Sequence, residues 1–294
     1  MTSLFDFAAA ARAQERAARL QGDRFLHAAA LEGLFDRLSA VTRRFAQGLW
    51  IGPPARGGEQ TNNASGGEQA NNLIPEAVRP FAAHWSLGRY NAMEQLEAPG
   101  EYDLAVSLYS LQAINDLPGA LTQIRHALKP DGLFLGALLG GGTLKELREA
   151  FAYGESQTRG GISPRVSPFA DVRDLGALLS RAGFALPVAD VERLTVRYSD
   201  FPALARDLRA HGLTNVLSGR ARNILRRDTL AATLAHYTAA HGTEGKLVAT
   251  FETIFLTGWS PHASQQQPLK PGSAKARLAD ALDTKEISAG EKPG

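Results

Sequence analysis

The chain has no cysteine among its 294 residues. That absence excludes disulfides, thiolate zinc sites, iron–sulfur clusters and a cysteine nucleophile. It fits a reducing compartment, and a cytoplasmic location is the expectation. An excess of one charge is also missing: 32 Lys and Arg against 30 Asp and Glu leave a formal +2, too little to mark a polyanion, so no nucleic acid is expected as partner. No apolar run reaches the ~20 residues that span a bilayer, the best being Leu133 to Leu139 with its glycine. No membrane span is expected. The seven histidines are scattered, and His236 and His241 stand five apart without ligand spacing, so no metal is expected.

What is present is ordinary for a globular protein: 44% apolar and 21% charged residues in a length that suits one main α/β domain with appendages. The opening "MTSLFDFAAAARAQERAARL" is interrupted by Asp6 and Glu15 and has no apolar signal core, so it reads as a surface helix rather than an organelle address. "LEGLFDRLSAVTRRF" places Leu31, Leu34, Phe35, Leu38, Thr42 and Phe45 on one helical face. A short strand, Leu49 to Ile51, then runs into a polar segment in which "GGEQTNN" is followed by "GGEQANN". Such a repeat buries too little apolar surface to offset its ordering entropy, and a mobile loop over 56–72 is expected. Between Leu73 and Gly100 no strand ending in an acidic residue stands out.

The central third is better punctuated. "YDLAVSL", Tyr102 to Leu108, reads as a buried strand. A helix follows, with Asn115 and Asp116 able to cap it, Pro118 in its first turn, and Leu117, Leu121, Ile124 and Leu128 as its buried stripe. Pro130 stops it, and Gly132 supplies permissive backbone before "LFLGALL" returns as a strand. Strand, helix, strand is a βαβ crossover with parallel strands. Helices then follow at "TLKELREAFAYGE" and at "DVRDLGALLSRAG", the latter capped by Asp171 and ended by Gly183; a strand follows at "FALPVADVERLTVRY". Two more helices, around 201–211 and 228–240, precede a long alternating strand, "KLVATFETIFLTGW". The composition beyond Ser260 marks a mostly disordered tail over 261–294, with one short helix near Leu278 to Leu282.

The stretches "EYDLAVSLYSLQAINDLPGALTQIRHALKPDGLFLGALLGGGTLKELREAF", "SPRVSPFADVRDLGALLSRAGF" and "FLTGWSPHASQQQPLKPGSAKARLADAL" resemble the class I S-adenosylmethionine-dependent methyltransferase superfamily. The branch is that of the biotin-synthesis methyltransferase relatives and the mitochondrial complex I assembly factor. The resemblance implies a Rossmann-like α/β sheet with helices on both faces, here with a degenerate N-terminal half and a helical insertion, 198–242, before the last strand. The division it suggests is an N-terminal helical segment over 1–48 and a methyltransferase-like domain over 49–260. It implies S-adenosylmethionine as cofactor and methyl transfer to a small-molecule or protein acceptor. The alternative is an inactive or arginine-hydroxylase-like assembly factor with a respiratory complex I subunit as partner.

The family pattern also names candidate positions. Gly52 and Gly57 would form the turn beside the cofactor, although Pro53 and Pro54 stand where glycines are usual. Ser107, Tyr109, Ser110 and Gln112, at the end of the fourth strand, would face adenine and methyl group, or would be ordinary loop polarity. Gly141 and Thr143 would form a substrate lip or a plain strand-to-helix turn. Trp259 and His262 would lie over the cleft or serve packing. Glu146 and Arg148 read as structural, and Arg220, Arg222, Arg226 and Arg227 as a solvated basic face or a dock for an acidic partner. No catalytic residue is assigned.

Overall fold

The computed structural model describes residues 3–20, 22–53, 74–98, 100–266 and 283–284. The expected polar loop over 56–72, Gly57 with it, and the short helix near Leu278 lie outside the described residues. The chain forms two units, residues 1–261 and 262–294. Within the second, His262 Nδ1 lies 2.7 Å from Ser264 Oγ and Gln265 N donates to His262 O, a local turn.

The first unit begins with helices α1 (Phe7–Arg19) and α2 (Phe25–Ser39). Strand β1 (Phe45–Ile51) follows, then, after a 3-10 turn, β2 (Ala82–Tyr90), the two-residue β3 (Leu96–Glu97) and β4 (Tyr102–Leu108). Helix α3 (Leu117–Ala127) crosses to β5 (Leu128–Leu139), and α4 (Lys145–Arg159) and α5 (Val172–Arg181) lead to β6 (Ala185–Tyr198). The inserted helices α6 (Phe201–Ala210) and α7 (Arg227–His241) precede β7 (Gly242–Thr243) and β8 (Lys246–Trp259).

These strands make one sheet in the order β3-β2-β1-β4-β5-β8-β6, with β7 hairpinned to β8. The strands β2, β1, β4 and β5 are parallel, and β8 runs antiparallel between β5 and β6. Apolar runs such as β4 and β5 are needed because helices cover both faces. On one face Leu34 and Leu38 of α2, Ala150 of α4 and Tyr237 of α7 pack on Trp50 and Leu104. On the other, Leu121 and Ile124 of α3 and Leu175 and Leu179 of α5 pack on Ala105 and Phe134. The α/β architecture with helices on both faces is the expected one.

The crossover follows the sequence cues. Asp116 Oδ1 accepts from Gly119 N at 2.9 Å, and Pro118 sits in the first turn of α3. Asn115 instead bridges Phe5 and the Glu94 carboxylate: its Nδ2 donates to Glu94 and its Oδ1 accepts from Phe5 N. Asp131 adopts the left-handed conformation at φ 63°. Gly132 is required for space rather than for φ, because a Cβ there would stand 2.9 Å from Lys129 O.

Two expectations need correction. Helix α2 ends at Ser39, so Thr42 and Phe45 leave the helical stripe, and Phe45 opens β1. Phe35 is an exposed side chain in edge contact with the Phe81 ring. The segment 74–98 does contain a nine-residue strand, β2, which ends at Tyr90 and not at an acidic residue; it is pinned by the buried Trp85, whose Nε1 donates to Arg79 O.

Candidate functional site

In this strand order the connection from β1 leads to β2 on one side, while β4 lies on the other. Ligands of open α/β sheets sit in the crevice beyond the carboxyl ends of the strands at such a reversal. A cavity of about 1020 Å³ occupies that place. Its floor is Ile51, Gly52 and Pro53 after β1, Gly88, Arg89 and Tyr90 at the end of β2, and Tyr109, Ser110 and Gln112 after β4. Its roof comes from α1, the start of α2, α6 and the loop from Arg165 to Phe169.

The floor is rigid. Tyr109 turns the chain off β4 at φ 49°, its N–H donating to Ala137 O at 2.8 Å. Its hydroxyl lies 2.8 Å from Thr253 Oγ1, and burial pushes the phenol up to about 12. Tyr109 is therefore protonated at neutral pH and acts as wall, not base. Ser110 Oγ reaches Ile51 O at 3.0 Å and Leu108 O at 3.2 Å, tying β4 to β1. Gly52 leaves no room for a side chain, since a Cβ would meet the Trp50 ring at 2.9 Å.

Two residues of the lining carry a buried polar atom with no partner among the described residues: Gln112 Oε1 and His27 Nδ1. A buried acceptor or donor left unpaired costs free energy unless something fills it. His27 packs its ring 5.5 Å from that of His211 and edge-on to Tyr109. Burial first, then repulsion from a protonated His211 and from Arg24, bring its pKa down to about 3. The imidazole is thus neutral. His211 holds its place through Nδ1 to Asp207 O at 2.8 Å, which leaves Nε2 to accept Leu26 N–H at 3.3 Å.

The roof loop is fastened from α4. Glu155 Oε1 and Oε2 take the hydroxyl and amide of Ser163, and Oε1 also accepts from Arg165 Nε at 2.9 Å and Nη2 at 2.6 Å. Arg148 donates to the carbonyls of Gly141, Thr143 and Ser167. Glu155 and Arg148 shape the loop without lining the cavity, whereas Arg165 does both.

Among the sequence candidates, the structure brings Gly52, Tyr109, Ser110 and Gln112 together on the cavity. Ser107 is buried within β4 and off the lining. Gly141 and Thr143 form a strand-to-helix turn that packs on β8: Thr143 Oγ1 donates to Glu252 O and accepts from Glu252 N, and a Cβ at Gly142 would stand 2.7 Å from Glu252 Oε2. The cavity is instead reached by Leu144 and Leu147. Trp259 pairs with Leu133 in the first half of β5 and with Ala185 at the start of β6, at the end of the strands away from the cavity. His262 belongs to the second unit. Glu146 is buried against Thr250, a structural position. Arg220 and Arg226 pair with Asp6 and Asp228. No group of three or more metal-ligating side chains occurs among the described residues, and none of their helices is long and apolar enough to cross a membrane.

The sequence offered no sign of Arg24, His27, Tyr90 or Arg209 as lining residues. Arg24 and His27 sit in an alanine-rich amphipathic stretch, and Tyr90 ends a strand whose alternation is broken.

The profile of the methyltransferase domain family matches residues 17–187, more than half of the chain. The chain is 44% identical over 180 residues to the arginine-hydroxylase NDUFAF5, mitochondrial, of Danio rerio, covering 61% of this chain and 56% of that protein. It is 38% identical over 181 residues to the malonyl-[acyl-carrier protein] O-methyltransferase of Laribacter hongkongensis, covering 61% of this chain and 59% of that protein. The chain thus spans little more than half the length of these curated relatives. With its sheet order and its crevice beyond β1 and β4, the chain belongs to the methyltransferase domain family.

Proposed function

We propose that the chain binds S-adenosylmethionine in the cavity and transfers its methyl group to a small-molecule or protein acceptor. The observation that carries this reading is the cavity's position at the reversal of strand order, floored by the ends of β1, β2 and β4. The residues fit a nucleoside with an amino-acid tail: Gln112 Oε1 is a buried acceptor lacking a donor, Tyr90 offers an aromatic wall, and Gly52 lets the backbone come close. When bound, the cofactor supplies an electrophilic methyl group on a sulfonium. The chain's own part is to position two reactants and exclude water, a contribution that needs few reactive side chains. Departing from the family pattern, no carboxylate lines the cavity among the described residues, so the ribose hydroxyls would meet Tyr90 and Arg89.

Titration with S-adenosylhomocysteine, followed by melting temperature and calorimetry, tests the reading, because a ligand of the native state must raise the melting point. No shift at saturating ligand overturns it.

A second reading is favoured by the missing carboxylate together with the names of two relatives 44% identical to the chain, which are called arginine-hydroxylases. In it the scaffold serves a protein partner, a respiratory complex I subunit, without transferring methyl. Mass spectrometry of a protein acceptor separates an added methyl from an added oxygen or from no change.

A further inference from the structure

The lining of the cavity has an unbalanced charge. Arg24, Arg89, Arg165 and Arg209 contribute to it, and among the described residues neither Asp nor Glu does. Arg89 is matched outside the lining by Glu97 at 2.8 Å, and Arg165 by Glu155 at 2.6 Å. For Arg209 no carboxylate partner occurs among the described residues.

Arg209 and Arg24 both line the cavity, and at one corner of it the end of α6, which carries the first, is clasped to the start of α2, which carries the second. His211 Nε2 takes the Leu26 N–H, and His211 stacks on His27. A Cβ at Gly22 would run into Ala210, so the chain passes directly over the end of α6 two residues before Arg24. The corner is also the amino end of the 15-residue α2, whose N-cap residue is Arg24 and carries no side-chain cap. Unpaired N–H groups and the helix dipole favour an anion there. His27 is only 9% exposed, forms part of the cavity wall and has an Nδ1 without a partner among the described residues. As a neutral ring with one N–H it can donate to an anion without the cost of burying another charge. Asp23 and Asp207 lie near enough to act on His211, yet neither lines the cavity.

We propose that this corner is an anion site that holds a carboxylate or phosphate group of the acceptor between Arg24, Arg209 and His27. The group held is a handle and not the methyl-accepting atom; nothing is transferred to it at this corner. Assigning the anion to the acceptor rests on the cofactor reading above, whereas the site itself does not.

The test titrates the full chain with inorganic phosphate and, separately, with succinate, at ionic strength held constant with sodium chloride. At least one probe is expected to bind saturably and raise the melting temperature, and the preference between them identifies the group. Arg24→Gln and Arg209→Gln are each expected to weaken that binding about tenfold, as for loss of a charge-assisted hydrogen bond. Arg222→Gln, an exposed arginine off the lining, is expected to bind as the parent chain does. Arg209 is exposed, so its variant keeps the fold even if Arg24→Gln does not, and circular dichroism checks both. The proposal fails if neither probe binds saturably, or if Arg209→Gln binds as tightly as Arg222→Gln. S-adenosylhomocysteine titrated into the same variants separates the two readings. Binding of the nucleoside without either anion overturns the anion site alone, and binding of an anion without the nucleoside overturns the cofactor reading alone.

Discussion

Glu155 Oε1 lies 2.6 Å from Arg165 Nη2, with the Glu155 side chain 1% exposed, and this pair decides where the roof of the cavity sits. The carboxylate comes from α4, and the guanidinium from the loop that supplies Arg165, Val166, Ser167 and Phe169 to the lining. Because the same carboxylate also holds the Ser163 amide and hydroxyl, its charge is compensated where it is buried. Replacing one partner leaves the other uncompensated, which typically costs about 3–5 kcal/mol.

Glu155→Gln is therefore expected to lower stability by an amount near the bottom of that range, since the amide still hydrogen-bonds, and to loosen the roof. Urea unfolding measures the first effect and proteolysis within 160–169 the second. Burial raises the Glu155 pKa, but Ser163 and Arg165 outweigh it, and the net direction is down. A depressed carboxylate stabilises fully above its unfolded pKa and loses that contribution as pH falls through the lower folded value. The parent chain should thus lose stability below about pH 4.5, and Glu155→Gln should lose less over that window. Equal acid sensitivity in the two chains would show that the pair does not stabilise the loop.

Helices α4 and α7 approach each other at Gly154, where a Cβ would press on the Thr233 side chain and come within 2.8 Å of Thr233 N. In an isolated helix Gly→Ala would gain up to about 1 kcal/mol. Overpacking against backbone costs typically about 1–3 kcal/mol, and backbone has no flexible end that could move aside. The packing term wins, so Gly154→Ala is expected to destabilise the chain by about 1–2 kcal/mol. A rise in melting temperature would show that the two helices can part at little cost.

Gln112 Oε1 has no donor among the described residues, so its removal should separate folding from binding. Gln112→Leu deletes an unsatisfied buried acceptor and is expected to leave stability unchanged or raised. A hydrogen bond from ligand to this oxygen is worth about 0.5–1.5 kcal/mol net, so S-adenosylhomocysteine affinity is expected to fall roughly two- to tenfold. Calorimetry on the two chains checks it. An unchanged affinity would place the nucleoside away from Gln112.

The parts of this fold that local chemistry specifies were legible in the sequence. Around α3, Asp116, Pro118 and Pro130 act within a few residues of where they stand, and the buried strands on either side need only be apolar. Tyr109, Ser110 and Gln112 could be placed at the cavity because they follow such a strand. Strand β2 escaped notice because its burial does not alternate: Ala83 and His84 are both exposed beside the buried Trp85. The sequence could not choose between the two places open to Trp259, for a non-local reason. The end of the sheet it occupies depends on the antiparallel register of β8 against β5 and β6, which no nearby residue encodes. Arg24 and His27 reach the cavity through a clasp between Leu26 and His211, 185 residues apart, and composition carries no trace of that contact.

His27 makes the stability of the cavity wall depend on pH, in the opposite sense to a histidine that gains an acidic partner. The groups that face it are His211, itself shifted down chiefly by burial, the Arg24 guanidinium and the Tyr109 ring. With a folded pKa of about 3 against about 6.5 when unfolded, His27 binds its proton only after unfolding throughout the interval between those values. Stability is whole above about pH 6.5 and is lost as pH falls, by up to about 1.4 kcal/mol per unit for one such group. From pH 6.5 to about pH 5, above the range in which Glu155 titrates, the loss assigned to His27 is about 2 kcal/mol. His27→Phe keeps an aromatic ring against Tyr109 and His211 and removes the proton uptake, so its urea midpoint should fall less steeply over that range. Parallel profiles for the two chains would mean that His27 is protonated in the folded state, and that the wall beside Arg24 is wetter than its burial implies.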